Sequence, residues 1–146
     1  MANYETFKNS RKTIVFNKSV PAGESGFIDS RLVAHGEVES VRINFAVGEN
    51  GTLHIRPVVI IPGEIMIDLF GYADNSDQYV SGDNETVESG VGIEIENDTI
   101  LRIFYDNIGE EGTADSELNV KVTVNYFETV DIENIIGPRR QIGGIY

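Results

Sequence analysis

The sequence predicts an all-β fold, in the form of a two-sheet antiparallel β-sandwich of the jelly-roll type. Three observations support this prediction. Apolar and polar residues alternate along several short segments, turn-forming residues separate these segments at short intervals, and no apolar stripe of helical period extends beyond about one turn. With 146 residues, the chain has the size of one domain with a single core.

The clearest predicted strand covers residues 118–126, where leucine, valine and tyrosine alternate with asparagine, lysine and threonine. This period of two is typical of an antiparallel strand with one face in water. Residues 41–47 and 91–96 repeat the pattern, whereas residues 101–105 are apolar on both faces except at Arg102, which favours a central strand. The remaining predicted strands are 13–20, 25–28, 53–61, 65–70 and a weaker one at 79–80.

Glycine, proline and asparagine residues mark the turns between these strands, because they favour tight turns or tolerate a positive φ. They occur at 21–23, 48–51, 62–63, 81–84, 97–98 and 109–112. Asn97 and Asp98 lie between two of the strongest predicted strands, so we expect them to turn a hairpin.

Both chain ends differ from the segment between them. We predict a polar, partly basic N-terminal arm at 1–12, a sandwich domain at 13–130 and an apolar C-terminal tail at 131–146. The arm lacks alternation, so we expect it to be flexible or to become ordered on a partner. The tail carries five isoleucines and a tyrosine, so we expect it to dock on the chain's own body or on a neighbouring subunit.

The charge of the chain is strongly negative and unevenly distributed. The formal net charge is −13, and between Glu64 and Glu117 fifteen carboxylates accompany one basic side chain, that of Arg102. Four of the eleven basic residues lie within the first eighteen positions. Because Lys and Arg supply most of the affinity for nucleic acid, we expect the acidic body to bind no DNA or RNA. The basic arm is suited to an acidic partner, such as the body of another copy.

The chain contains no cysteine, which excludes a disulfide framework and a thiolate metal site. The first twenty residues lack the apolar core of a signal peptide, and no segment approaches the roughly 18 apolar residues of a membrane span. We therefore expect a soluble cytoplasmic protein with no membrane partner.

The sequence argues against catalysis. His35 precedes a glycine in a turn, His54 alternates with apolar neighbours towards the polar face, and no Gly-x-Ser-x-Gly motif accompanies them. Asp68 interrupts an apolar strand, but a cross-strand ion pair with Arg56 or Arg42 explains it more simply than acid–base chemistry does. We predict no catalytic residues and no enzymatic activity.

Oxygen-rich loops make calcium the one cofactor to consider, since Ca²⁺ takes about six to eight oxygen ligands. The candidate ligands are Asp74, Asp77, Asp83 and Asp106. None of these loops has EF-hand spacing, and Asp is also common in ordinary turns, so solvated acidic loops are the simpler interpretation. Tyr72, Tyr79 and Tyr105 keep sugar binding open, although tyrosines more often pack in a core or at its rim.

Three segments carry a resemblance to a known class: the N-terminal MANYETFKNSRKT, the strand pair ENDTILRIFYDN and SELNVKVTVNYF, and the tail IIGPRRQIGGIY. Together they resemble small β-sandwich proteins of phage virions, the head-decoration and auxiliary capsid class, over the general plan of residues 13–127. The resemblance implies a stoichiometric structural protein without an active site, commonly a trimer, whose terminal arms latch subunits together. The strand pattern also resembles galactose-binding modules.

The sequence therefore predicts a non-enzymatic structural or interaction protein of a virion that self-associates through its terminal arms. The expected partners are further copies of the chain, with a trimer favoured, and a major capsid protein. The expected interface consists of Lys8, Arg11, Lys12, Ile135, Ile136, Arg139, Arg140, Ile142, Ile145 and Tyr146. The alternative is a monomeric carbohydrate- or calcium-binding β-sandwich module.

Overall fold

The computed structural model describes residues 6–63, 65–70 and 79–130, and within them the side chains of residues 10–127. These residues form eight β-strands and no helix, so the predicted all-β fold is confirmed. The strands are β1 (Thr6–Val20), β2 (Ser25–Arg31), β3 (Gly36–Phe45), β4 (Leu53–Ile61), β5 (Ile65–Asp68), β6 (Glu85–Ile95), β7 (Ile100–Asn107) and β8 (Ser116–Val130). No helix long and apolar enough to cross a membrane occurs in the described part of the chain.

The strands form two antiparallel sheets of four strands each, which pack against each other as a sandwich. The first sheet has the strand order β1-β8-β3-β6, and the second sheet has the order β2-β7-β4-β5. The pairs β4·β5, β3·β6, β2·β7 and β1·β8 are nested one outside the other. The chain is therefore one long hairpin, turned at Pro62 and Gly63, that is rolled into the two sheets of a jelly roll.

The hydrophobic core lies between the inner faces of the two sheets. Its centre consists of fully buried aliphatic side chains, which are Val41, Ile43, Val120 and Val122 from the first sheet and Ile55, Val59, Leu101 and Ile103 from the second. Burial alternates strictly along β7, because successive side chains of a strand point to opposite faces. Each of these side chains stabilises the fold by about 1.5–3 kcal/mol through its removal from water.

Most of the predicted strands are present, with shifted ends. The strand predicted at 53–61 coincides with β4, and the strand predicted at 91–96 is the last part of the longer β6. The weak strand predicted near residue 80 is reduced to a single bridge between Val80 and Ile55. β6 starts earlier than predicted because Gly90 and the acidic residues before it hide the alternation, while the backbone pairing with β3 continues.

The boundary between the predicted N-terminal arm and the sandwich differs in the structure. Residues 6–12, which the sequence analysis assigned to the arm, belong to β1, and their backbone pairs with β8 as far as Thr6 opposite Val130. A polar segment joins a sheet in this way because strand pairing uses backbone groups and needs no apolar alternation. Residues 1–5 and the tail at 131–146 lie outside the described residues, so the roles predicted for them stay predictions.

The predicted hairpin at Asn97 and Asp98 is wrong, because the strands on either side of it belong to different sheets. This turn crosses from β6 in the first sheet to β7 in the second. Asp98, with a φ of 72°, donates its backbone N–H to the carbonyl oxygen of Leu32 at 2.9 Å, and the N–H of Leu32 donates to the carbonyl oxygen of Thr99 at 2.8 Å. The turn is therefore held against the connection between β2 and β3.

We expect Gly36, the first residue of β3, to tolerate no side chain. A Cβ at this position would meet the carbonyl oxygen of Asn125 and lie 2.9 Å from the Cα of Tyr126, both in β8. Gly36→Ala should lower the free energy of unfolding by about 1–3 kcal/mol, the usual cost of overpacking. The matched control is Gly90→Ala, since a Cβ there meets nothing within 4 Å. Urea denaturation checks both variants, and equal stabilities would contradict the pairing of β3 with β8 at this end.

Candidate functional site on the outer face of the second sheet

The outer faces of the two sheets differ in chemistry. Thr13, Arg42, Lys121 and Thr123 lie together on the outer face of the first sheet, which is polar. Most outward positions of the second sheet are instead aromatic, aliphatic or occupied by arginine–aspartate pairs. Ser25, His54 and Asp106 form a polar row at one end, and Arg31, paired with Asp98, borders the other end. We call this surface the second-sheet face. It consists of Phe27, Asp29, Arg56, Val58, Ile60, Met66, Asp68, Ile100, Arg102 and Phe104.

Three cross-strand rows build the second-sheet face. The rows are Phe27 with Phe104 and Arg56; Asp29 with Arg102, Val58 and Asp68; and Ile100 with Ile60 and Met66. Side chains directly opposite one another on neighbouring strands have Cβ atoms about 5 Å apart and interact. The strand register alone therefore brings residues that are far apart in sequence into one continuous surface.

Arg102 is at the centre of this face. Its Nε donates to Oδ1 of Asp29 at 2.8 Å and its Nη2 donates to Oδ2 at 2.9 Å, which makes a bidentate pair. The guanidinium also stacks over the ring of Phe27, with Cζ 3.9 Å from the ring centroid. Hydrogen bonding to Asp29 raises the pKa of the Arg102 guanidinium, so the side chain stays protonated.

Arg56 forms a second bidentate pair, with Asp68. Its Nε donates to Oδ1 at 2.6 Å and its Nη2 donates to Oδ2 at 3.0 Å. Its Cζ lies 5.7 Å from the ring centroid of Phe104, and the rings of Phe104 and Phe27 meet edge to face at 5.9 Å. The prediction of a cross-strand arginine partner for Asp68 is thereby confirmed for Arg56.

The second-sheet face is apolar and locally neutral in charge. Phe27 and Met66 are 51% and 44% exposed, whereas Val58, between the two ion pairs, is fully buried although it lies on the outer side of the sheet. The two aspartates of the face are paired with its two arginines. Aromatic residues, methionine and arginine are the side chains enriched in the cores of protein–protein interfaces, so the surface has the composition of an interaction site.

The predicted interface residues fall only in part within the described residues. Arg11 lies on β1 and forms a surface ion pair with Glu39, with Nε 2.8 Å from Oε1, and such exposed pairs contribute little to stability. Lys12 is exposed on the same strand. Lys8 belongs to β1, but its side chain is outside the described part. The tail residues of the predicted interface are Ile135, Ile136, Arg139, Arg140, Ile142, Ile145 and Tyr146, and all of them lie outside it as well.

The predicted calcium ligands are spread over different parts of the fold. Asp83 lies beside the β3–β4 loop, where its Oδ1 accepts a hydrogen bond from the Gly48 N–H at 2.8 Å. Asp106 lies on β7, opposite His54 of β4. Asp74 and Asp77 are outside the described residues. Among the residues that the structure describes, no three His, Asp or Glu side chains are grouped to hold a metal ion, so calcium binding stays a prediction.

A cavity of about 480 Å³, which no sequence pattern predicted, lies between the β3–β4 and β7–β8 loops. Glu49, one of its lining residues, is only 5% exposed. Oε2 of Glu49 accepts a hydrogen bond from the Glu117 N–H at 3.1 Å, whereas Oε1 has no hydrogen-bond partner among the described residues. The sequence around it, Gly48 to Gly51, has the composition of a solvated turn, so no local signal indicated a buried carboxylate.

Burial raises the pKa of the Glu49 carboxyl group, because removal from water disfavours its charged form. Backbone hydrogen bonds from Glu117 and Ala46 act in the opposite direction, and the nearby charges of Asp83 and Glu117 raise the pKa further. Ionised Glu49 therefore costs stability, and this cost is largest at neutral pH, where the carboxylate is charged.

The chain is thus an acidic jelly-roll protein in which the outer face of one sheet is largely apolar. No protein-family model matches it, and no curated protein matches it. Solved structures similar to it include viral capsid proteins. A structure of infectious bursal disease virus (Gx strain) is 12% identical with a TM-score of 0.49, over 83% of this chain and 32% of that chain. This chain thus spans about a third of that length.

Two further similar structures are nearer in length to this chain. A protein of the disulfide-linked pili of Bacillus endospore appendages is 13% identical with a TM-score of 0.45, over 86% of this chain and 93% of that chain. A chain of the cyanophage Pam1 capsid is 20% identical with a TM-score of 0.40, over 84% and 85% of the two chains.

We expect Glu49→Gln to stabilise the protein at neutral pH, since glutamine keeps the acceptor for the Glu117 N–H and removes the buried charge. The pKa of Glu49 is raised in the folded state, so the folded state binds this proton more tightly than the unfolded state does. The cost of the charge is present above the raised pKa and disappears as the pH falls towards the ordinary value of 4.5.

The measurement is the melting temperature of both proteins by circular dichroism, from about pH 7 down to about pH 5. The advantage of Glu49→Gln should shrink as the pH falls. Glu110→Gln, which removes an exposed carboxylate near the same cavity, is the control and should show no such trend. A constant difference between Glu49→Gln and the native chain would show that the buried charge is not its cause.

Proposed function

We propose that this chain is a non-enzymatic structural protein that assembles with further copies of itself. The second-sheet face is the observation that carries the proposal. The chain has a net charge of −13, and copies with the same large charge repel one another. On the second-sheet face, two ion pairs cancel the charges of Asp29, Arg56, Asp68 and Arg102, and aromatic and aliphatic side chains surround them. Association is therefore favoured at this face.

The arrangement of the chain ends supports a role for the terminal segments in the same assembly. Thr6 pairs with Val130, so the two residues from which the terminal segments continue lie side by side at one end of the first sheet. The tail holds most of the large apolar residues of the predicted interface. We propose that the tail supplies most of the association energy by burial of this apolar surface, since exposed ion pairs contribute little.

We place this assembly in a virion, as a decoration or auxiliary capsid component, with a trimer as the favoured oligomer and a major capsid protein as a further partner. Two considerations support this part of the proposal. One is the resemblance of the terminal segments and the last strands to head-decoration proteins. The other is the jelly-roll strand order, which is common in viral capsid domains and also in lectins. The sugar- or calcium-binding module remains the alternative.

We expect replacement of two apolar tail residues to weaken assembly without loss of the fold. The variant Ile135→Ser with Ile136→Ser removes apolar surface from the tail, and Gln141→Ser in the same segment is the matched control. Light scattering on a size-exclusion column should show that the double variant dissociates at concentrations at least about tenfold higher than the control does. Circular dichroism should show the same β-sheet spectrum and melting curve for the separated subunits.

Two results would contradict the proposal. One is a native chain that is monomeric at every concentration. The other is a double variant that assembles as well as the control does. A monomer whose melting temperature rises when calcium or a glycan is added would instead support the binding module, because a ligand that binds only the folded state stabilises it.

A further inference from the structure

We propose that the second-sheet face is the acceptor surface for the C-terminal tail, residues 131–146, of another copy. The inference rests on the proposed self-association, and it specifies which surface of one copy contacts which segment of another. The donor is a segment rich in isoleucine whose two acidic and two basic side chains balance. The acceptor is a surface of the described structure that is apolar and whose charges are paired.

The acceptor face is suited to burial because its charges already have partners. Burial of an unpaired charge is costly, whereas a charge with its hydrogen bonds satisfied is buried at a much lower cost. Arg102 and Asp29 form a bidentate pair, and Arg56 and Asp68 form another. A partner that covers this face therefore breaks no ion pair, and it removes apolar surface from water, including that of the half-exposed Phe27.

The chemistry of the tail matches this face. Its isoleucines and Tyr146 supply apolar side chains, and residues 137–146 contain Arg139 and Arg140 but no carboxylate side chain. Because Asp131 and Glu133 balance these arginines, the side chains of the tail carry no net charge, which matches a face whose own charges are paired. Within the face, the exposed parts of Phe27 on β2 and of Met66 on β5 offer apolar contacts beside the two ion pairs.

The course of β8 favours a neighbouring copy as the acceptor. β8 runs beyond its last pair with β3, which is Tyr126 opposite Gly36. The N–H of Phe127 still donates to the carbonyl oxygen of His35 at 2.9 Å, and β8 continues to Val130 in pairing with β1. The tail thus begins on the first sheet, past the end of β3. Its sixteen residues span at most about 55 Å when extended. Val130 belongs to the first sheet, whereas the acceptor face is the outer side of the second sheet, so the second sheet of the same copy lies between Val130 and that face. A neighbouring copy can present the face to the tail without this obstacle.

The absence of cysteine from the chain allows a direct test by disulfide cross-linking. Met66→Cys places one thiol at the half-exposed edge of the second-sheet face, and Ile142→Cys places one in the tail. The two full-length variants are mixed, allowed to exchange subunits and oxidised mildly. The control replaces Met66→Cys by Asn17→Cys, which lies at an exposed position of β1 on the first sheet. We expect at least about tenfold more mixed dimer, seen by gel and mass spectrometry, with Met66→Cys than with Asn17→Cys.

A second variant keeps the test independent of the thiols. Phe27→Ser removes an exposed ring from the face while the tail remains intact, and it should weaken assembly by about tenfold or more. The control Val15→Ser removes a half-exposed side chain from the first sheet and should leave assembly unchanged. Light scattering over a dilution series measures both.

Each contrary result has a distinct meaning. Equal cross-linking at Met66→Cys and Asn17→Cys overturns the assigned acceptor face but leaves self-association intact. A chain that carries both Met66→Cys and Ile142→Cys and closes mainly an internal disulfide, in dilute solution, shows that the tail binds its own body and also overturns the inference. A native chain that never forms an oligomer overturns the proposed function itself.

Discussion

The nested pairing of the two halves of the chain is the constraint on which the rest of the structure depends. Because the chain turns at Pro62 and Gly63 and its halves then pair strand by strand, β1 must meet β8 and β2 must meet β7. The first pairing brings Thr6 and Val130, from which the two terminal segments continue, next to each other. The second places Phe27 against Phe104 and begins the second-sheet face. The ends and the apolar face are consequences of the same pairing.

The distribution of charge determines which surfaces of the jelly roll repel another copy and which are suited to contact it. Most of the surface is acidic, which keeps copies apart and favours solubility. In the β3–β4 loop, one acidic side chain, that of Glu49, is buried in the fold, and its charge lowers the stability of the protein. On the second-sheet face, Arg56 and Arg102 each meet an aspartate and an aromatic ring. On this face apolar side chains and paired charges occur together, which is why we propose it as the site of association.

The alternation of apolar and polar residues and the position of single charges predicted those features that depend on residues near one another in sequence. Alternation placed β4 at 53–61, and the isolated charge of Asp68 within an apolar strand predicted its arginine partner. The turn at Asn97 and Asp98 was misassigned because turn composition does not reveal whether the next strand stays in the same sheet. The second-sheet face was also hidden, since Phe27 and Arg102 become neighbours only through the register of β2 with β7. The buried Glu49 depends on a contact with Glu117, far along the chain.

The most direct test of self-association through a neutral, apolar face is the mass of the native chain by light scattering, over a dilution series at low and at high salt. If apolar surface holds the copies together, the mass is a fixed multiple of the chain mass and is maintained or strengthened as salt screens the repulsion between acidic bodies. A monomer under all conditions would contradict self-association. An oligomer that dissociates at high salt would contradict the apolar face, because ion pairs between copies would then be the dominant interaction.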